Sequence, residues 1–228
     1  MPLRSSRAHT LVMRYDLLVF DWDGTLIDSA ETIVASIQAA CHDLGLPIPE
    51  QSRASHVIGL GLHDALAYAV PGLPASDYGR VVERYRYHFL AKDSDLELFP
   101  GVRTMLGALK DRGHLLAIAT GKSRAGLLRA LDNTGSQAFF SALRCADQCP
   151  SKPAPDMLFE LMDELGVDRA STLMIGDTVH DLQMAANAGV GAVAVSHGAH
   201  PKRDLLAFKP LACPGNIDEL GQWLEQNG

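Results

Sequence analysis

Two aspartates stand two residues apart in Asp21-Trp22-Asp23-Gly24-Thr25-Leu26, directly after the apolar run Tyr15–Phe20. Carboxylates at that spacing on a tightening turn both face one ligand, and Gly24 lets the chain turn sharply and approach it. The same composition also suits an ordinary turn rich in Asp and Gly. Later segments bear on the choice. Thr120-Gly121 ends a second apolar run, where a hydroxyl and free amides ahead of a helix suit an anion or a plain helix cap. Lys152, in Ser151-Lys152-Pro153-Ala154-Pro155-Asp156, is a lone cation in a proline loop. Gly176-Asp177-Thr178-Val179-His180-Asp181 reads either as a helix start, capped by Asp177 with Asp181 in the first turn, or as a carboxylate metal site. Oxygen donors of this kind suit Mg²⁺, with Asp21, the backbone carbonyl of Asp23 and Asp177 as ligands and Asp181 bonding a metal-bound water. His180 is expected to face solvent.

Two nucleotide-binding echoes fail on inspection. Gly121-Lys122-Ser123 lacks the earlier glycine of a P-loop, since position 116 is Leu, and after Gly59-Leu60-Gly61 the place of a third glycine is taken by Asp64.

Short apolar runs must carry these groups: Tyr15–Phe20, Leu115–Ala119, Ala142–Cys145, Thr172–Ile175 and Gly191–Val195. Their unbroken apolar character predicts strands covered on both faces. Helical segments near 101–111, 123–132, 155–165 and 179–188 alternate with the later strands. That rhythm predicts an α/β fold: a Rossmann-like parallel sheet with helices on both faces. In such sheets ligands bind beyond the carboxyl ends of the strands, where the aspartates, Thr120 and Lys152 fall.

Residues 28–98 break the rhythm and read as a small inserted α-helical cap domain, leaving 14–27 and 99–228 as the core. Asp28 and Glu31 have capping-box spacing, and Ile33, Val34, Ile37, Cys41 and Leu44 recur on one face before Gly45. Further helices are expected near 62–69 and 76–91. Residues 1–13 read as a flexible extension, with Met13 an alternative start.

Composition narrows the function classes. Of 228 residues, 47% are hydrophobic and 21% charged, an ordinary globular balance. No apolar run approaches the ~20 residues of a membrane span, and a net charge of −7 offers no basic face for nucleic acid. An anionic substrate would then need a local cation. Cys41, Cys145, Cys149 and Cys213 match no zinc spacing and read as free thiols of a cytoplasmic protein.

Taken in order, Asp-x-Asp-Gly-Thr at 21–25, Thr120, Lys152 and Gly-Asp-x-x-x-Asp at 176–181 resemble the haloacid dehalogenase-like superfamily of phosphohydrolases. The insertion after the first motif resembles the helical cap of its phosphoglycolate phosphatase and β-phosphoglucomutase branch. The resemblance implies that Asp21 is a nucleophile forming an aspartyl phosphate. It makes Asp23 the acid and base, and gives Thr120, Gly121 and Lys152 the phosphate oxygens. The cofactor is Mg²⁺, and the partner is a small phosphoester. Asp23 sets the chain apart from dehalogenases, which lack that carboxylate. Phosphonoacetaldehyde hydrolases need a cap lysine near the start of the insertion, and Lys92, the only lysine there, lies near its end. Phosphomutase, pyrophosphatase and a receiver-type signalling domain stand as alternatives. The loop 57–62, with Gly59 and Gly61, corresponds in order to the one this branch points at its active site. Arg53, His56 and His63 nearby are candidate substrate contacts, and Trp22 a candidate neighbour of the leaving group.

Overall fold

The computed structural model describes residues 14–228. The expected extension at 1–13 and the alternative start at Met13 lie outside the described residues. The first strand, β1 (Leu17–Phe20), is followed by four helices: α1 (Ala30–Asp43), α2 (Gln51–His56), α3 (Leu62–Ala69) and α4 (Tyr78–Leu90). Next come α5 (Val102–Asp111), β2 (Leu115–Thr120), α6 (Arg124–Asn133), β3 (Ala142–Cys145) and α7 (Asp156–Leu165). The chain ends with β4 (Thr172–Gly176), α8 (Val179–Ala188), β5 (Gly191–Ala194), α9 (Lys202–Leu206) and α10 (Ile217–Asn227).

All five strands are parallel, in the order β3-β2-β1-β4-β5. β1 is central, with Leu17 paired to Leu115 on one side and Thr172 on the other. Period-two alternation divides the apolar residues between two faces. Leu18, Phe20, Ile118 and Ile175 pack with Leu106, Leu127 and Leu220, from α5, α6 and α10. Leu17, Val19, Ala119 and Met174 pack with Leu158, Leu161 and Met184, from α7 and α8. This is the layered α/β fold expected from the buried runs. The outer edge of β5 is closed by the 211–214 segment, through Leu211 N to Ala192 O and Ala194 N to Ala212 O.

α1–α4 form their own apolar clusters, built on Ile33, Ile37, Ala54, Val57 and Phe89, with Ala40, Leu66 and Val81 beside them. The chain leaves for this segment and returns from it side by side. Asp28 N donates to Glu97 O, Phe99 N donates to Leu26 O, and Ile27 bridges Leu98.

One expected helix start and one alternative reading are corrected. No Asp28–Glu31 capping box forms, because α1 begins one residue later and Ser29 takes the cap position. The Ser29 hydroxyl does not cap the helix either, since it donates to Asp23 Oδ1. At α8 the cap is Thr178 rather than Asp177, and Asp181 closes a capping box with it. Asp177 is thereby left free to point elsewhere.

Candidate active site

The strand ends assemble a fully buried charge cluster. Asp21 follows β1, its amide donating to Ile175 O at 2.9 Å, so the backbone stays in the sheet while the side chain passes beyond it. Lys152 Nζ lies 2.7 Å from Asp21 Oδ1 and 2.6 Å from Asp181 Oδ1. The expectation of a local cation is met by a lysine with 1% of its surface exposed. Asp181 Oδ2 accepts from Thr178 N (3.0 Å) and Thr178 Oγ1 (2.7 Å). Asp177 Oδ1 accepts from Thr25 Oγ1 and Oδ2 from Ala199 N, both at 2.7 Å. One carboxylate oxygen from each of Asp21, Asp177 and Asp181 lies within 4.8 Å of the others. Asp21 Oδ2 is buried and has no hydrogen-bond partner among the described residues.

Glycines make this density possible. Gly24 adopts φ +80°, and a Cβ there would sit 2.3 Å from Asp177 Oδ2. Any side chain at Gly24 therefore displaces the carboxylate.

Burial pushes the Asp21 carboxyl well above the usual range; Lys152 opposes this and Asp181 and Asp177 add to it. Asp177 is pushed up to about 7, chiefly by burial and then by Asp181. Burial works against the Lys152 charge, but Asp181 and Asp21 outweigh it and hold the ammonium above the ordinary lysine range. Three buried carboxylates facing one ammonium leave an excess of negative charge, which is costly away from water. Hard oxygen donors, that excess and the orphaned Asp21 oxygen together fit a divalent cation such as Mg²⁺.

Asp23 faces the other way. Its Oδ1 accepts from Ser29 Oγ at 2.7 Å and lies 3.0 Å from Lys122 Nζ. The Lys122 ammonium also sits 4.5 Å from the centre of the Phe89 ring on α4. Asp23 and Lys122 open onto a cavity of about 680 Å³ between the strand ends and α1–α4. Gly59, Gly61, His63, Tyr85, Arg86 and Arg129 also line it. Thr120, buried at the end of β2, accepts from Lys122 N through Oγ1 at 3.2 Å. Beside it, Gly121 meets the 57–61 loop so closely that a Cβ would lie 2.3 Å from Leu60 O. The loop is also held by Gly61 N donating to Ser151 Oγ at 2.7 Å.

The sequence-predicted residues thus divide. Asp21, Asp177, Asp181 and Lys152 come together; Asp23, Gly121, Gly59, Gly61 and His63 line the adjoining cavity, and Thr120 is buried next to Gly121. Three candidates do not join them. Trp22 is fully buried in the core, edge-on to Phe140 at 6.4 Å, because it packs into the apolar cluster on one face of the sheet. Arg53 is exposed and donates to Tyr68 O at 3.2 Å. His56 is stacked on His200 outside the cavity, and His180, expected in solvent, is partly buried against both. Lys122 was not among the predicted site residues. Its signal was its place two residues after Thr120 at a helix entry, hidden by the failed P-loop pattern.

The sequence pattern of haloacid dehalogenase-like hydrolases matches residues 18–195. The chain is 36% identical over 210 residues to a Dickeya dadantii protein named probable phosphatase IndB, covering 90% of this chain and 91% of that one. It is 29% identical over 188 residues to a phosphoglycolate phosphatase of Agrobacterium fabrum, covering 80% and 81%. Among solved structures, a hydrolase from Pseudomonas syringae superposes with a TM-score of 0.84 at 21% identity, covering 92% of this chain and 97% of that one. That likeness concerns the fold. The extent of the family match, across all four motifs and the segment between the first two, means that the chain belongs to the haloacid dehalogenase-like hydrolases.

Proposed function

We propose that the chain is a Mg²⁺-dependent phosphatase of a small phosphomonoester, phosphoglycolate-like in class, working through an aspartyl phosphate on Asp21. The observation that carries this reading is the Asp21 carboxylate. It is buried at the end of the central strand, paired through one oxygen with Lys152 and unpartnered at the other. Asp21, the Asp23 carbonyl and Asp177 would hold Mg²⁺, with Asp181 bonding its water. The ion supplies charge neutralisation between an anionic nucleophile and an anionic ester.

Asp21 attacks phosphorus, and the ester oxygen departs with a proton from Asp23. A water then attacks the aspartyl phosphate and gives its proton to Asp23, which frees phosphate and regenerates Asp21. Asp23 Oδ1 is occupied by Ser29 and Lys122, leaving Oδ2 to exchange the proton. Thr120 Oγ1, the Gly121 amide and the Lys152 ammonium hold the non-reacting oxygens where charge accumulates. Residues 28–98 act as a cap over the core formed by 14–27 and 99–228, excluding water when closed. The paired linkers at 26–28 and 97–99 are its hinges.

The test is phosphate release with Mg²⁺ across small phosphoesters, with no bisphosphate activator. The cavity is roomier than a two-carbon ester needs, so the panel extends to sugar phosphates and pyrophosphate. Asp21→Asn should lose all turnover and all trapping by fluoroberyllate. Asp23→Asn should lose turnover while still binding metal and phosphate. Wild-type rates in Asp21→Asn would overturn the assignment.

A further inference from the structure

Three imidazoles meet outside the carboxylate cluster. His56 ends α2, His180 is the second residue of α8, and His200 lies in the loop after β5. The proposed mechanism uses none of them. Their ring centroids form a nearly equilateral triangle, 5.2 Å for His56–His180, 5.1 Å for His56–His200 and 5.3 Å for His180–His200. One ring nitrogen from each lies within 4.8 Å of the others. Three imidazoles on one tetrahedral ion, with metal–nitrogen bonds of about 2.0–2.1 Å, place their centroids roughly 5 Å apart. The triangle already has that side; the His56 and His200 rings lie 6° from parallel, so ligation requires the His56 ring to turn toward the common point.

The surroundings favour a borderline transition metal. Among the donors there is no carboxylate, so the hard-oxygen preference of Mg²⁺ is not met, whereas neutral imidazole suits Zn²⁺ and Co²⁺. Burial holds His200 down at about 4, with the neighbouring imidazoles contributing. His180 Nε2 and His200 Nε2 lie 2.7 and 3.1 Å from the same carbonyl, that of His56. A ring nitrogen that donates to a backbone carbonyl fixes its tautomer and leaves the other nitrogen's lone pair for a metal. At His200 that other nitrogen, Nδ1, accepts from Val179 N at 3.1 Å. Metal binding there releases this amide, which belongs to the first turn of α8 and has no obligatory helical partner.

We propose that His56, His180 and His200 form a second metal site, for a Zn²⁺-class ion, distinct from the carboxylate cluster. An ion held there ties α2 to α8, the helix that carries Asp181 and follows Asp177. It would therefore pin the 57–61 loop over the strand ends. That consequence rests on the phosphatase reading, but the binding itself does not.

The experiment titrates Co²⁺ into the full chain in excess Mg²⁺, following visible absorption and calorimetry. Wild type should bind one Co²⁺ with the intense absorption of tetrahedral nitrogen ligation, and Zn²⁺ should displace it. His56→Gln and His200→Gln should each weaken binding at least about tenfold. Asp21→Asn should leave it unchanged, which separates this site from the carboxylates and from any failure of the phosphatase reading. Thermal unfolding confirms that each variant is folded, and the two variants lie on different elements, so one that misfolds leaves the other to decide. No Co²⁺ spectrum in wild type, binding that survives in a folded histidine variant, or binding lost in Asp21→Asn would each overturn the site.

Discussion

The two sides of the site are built differently. On the sheet side, Asp21, Asp177, Asp181 and Lys152 have no exposed side-chain surface beyond 1%, and nearly every oxygen has a named donor. Toward the cavity, Asp23 and Lys122 at the ends of β1 and β2 are mostly buried, but Arg86 and His63 from α4 and α3 are exposed and Arg129 of α6 is only partly covered. The first side holds a few atoms in one arrangement, as bond-making requires. The second exposes Arg86 and His63 to the cavity, while Lys122 is paired with Asp23 and Arg129 with Asp93. The buried carboxylate cluster and the looser cavity lining thus differ in how firmly their side chains are held.

Removing the central cation should break the contrast most severely. Lys152→Met leaves Asp21 and Asp181 buried with no positive partner. In metal-free buffer this should cost about 3–5 kcal/mol, as one-sided removal of a buried ion pair does. Urea unfolding of variant and wild type reads the loss, and added Mg²⁺ should restore part of it. Phosphate release should fall by about 10²–10³ even when the variant is folded, since a preorganised donor to the phosphate is gone. A variant as stable as wild type without metal would mean that the lysine is not the counter-charge.

Gly121→Ala acts at the seam between the two sides. The new Cβ would stand 2.3 Å from Leu60 O and 2.6 Å from Gly59 O, both backbone atoms that cannot rotate away. The 57–61 loop must lift. Misplacement on the scale of 1 Å costs up to about 10² in rate. The loss should appear in both kcat and KM, with unfolding changed by only about 1–3 kcal/mol. Unchanged kinetics would show that the loop does not set the geometry. Lys122→Gln should do less: KM for anionic substrates should rise about tenfold while Mg²⁺ affinity is retained, because the lysine touches Asp23 and Phe89 rather than the carboxylate cluster.

The same contrast explains what could be read in the sequence. The strand ends were legible because burial on both faces demands unbroken apolar runs, and a metal-type cluster demands several acids at those ends. Lys152 was readable only through the order of motifs, since a lysine in a proline loop carries no local sign of burial. Ser29 shows why helix starts were misjudged: local spacing favoured Asp28 and Glu31, but Asp23 recruited the hydroxyl from across the turn. Trp22 and His56 fell on the wrong side for a related reason. Neighbourhood in sequence does not say which way a ring turns, and packing sent one into the core beside Phe140 and the other into a histidine stack.

The smallest expected effect lies farthest from the chemistry. Asp43, at the end of α1, accepts from Arg84 and His88 on α4 and is held down at about 2 by those two partners. A carboxyl lowered in the fold keeps its proton longer in the unfolded chain. Its contribution is therefore present above the unfolded value near 4 and lost as pH falls through about 2. Asp43→Asn should thus narrow the gap between neutral and acid stability without changing phosphate release at pH 7. The partners are partly exposed, so the shift in acid midpoint should be small and should shrink further in salt. Such a shift, seen in α1–α4 but not in the sheet by hydrogen exchange, would sharpen the contrast between a surface-stapled selecting side and a buried chemical one. Equal loss of protection in both would show that the two sides unfold as one.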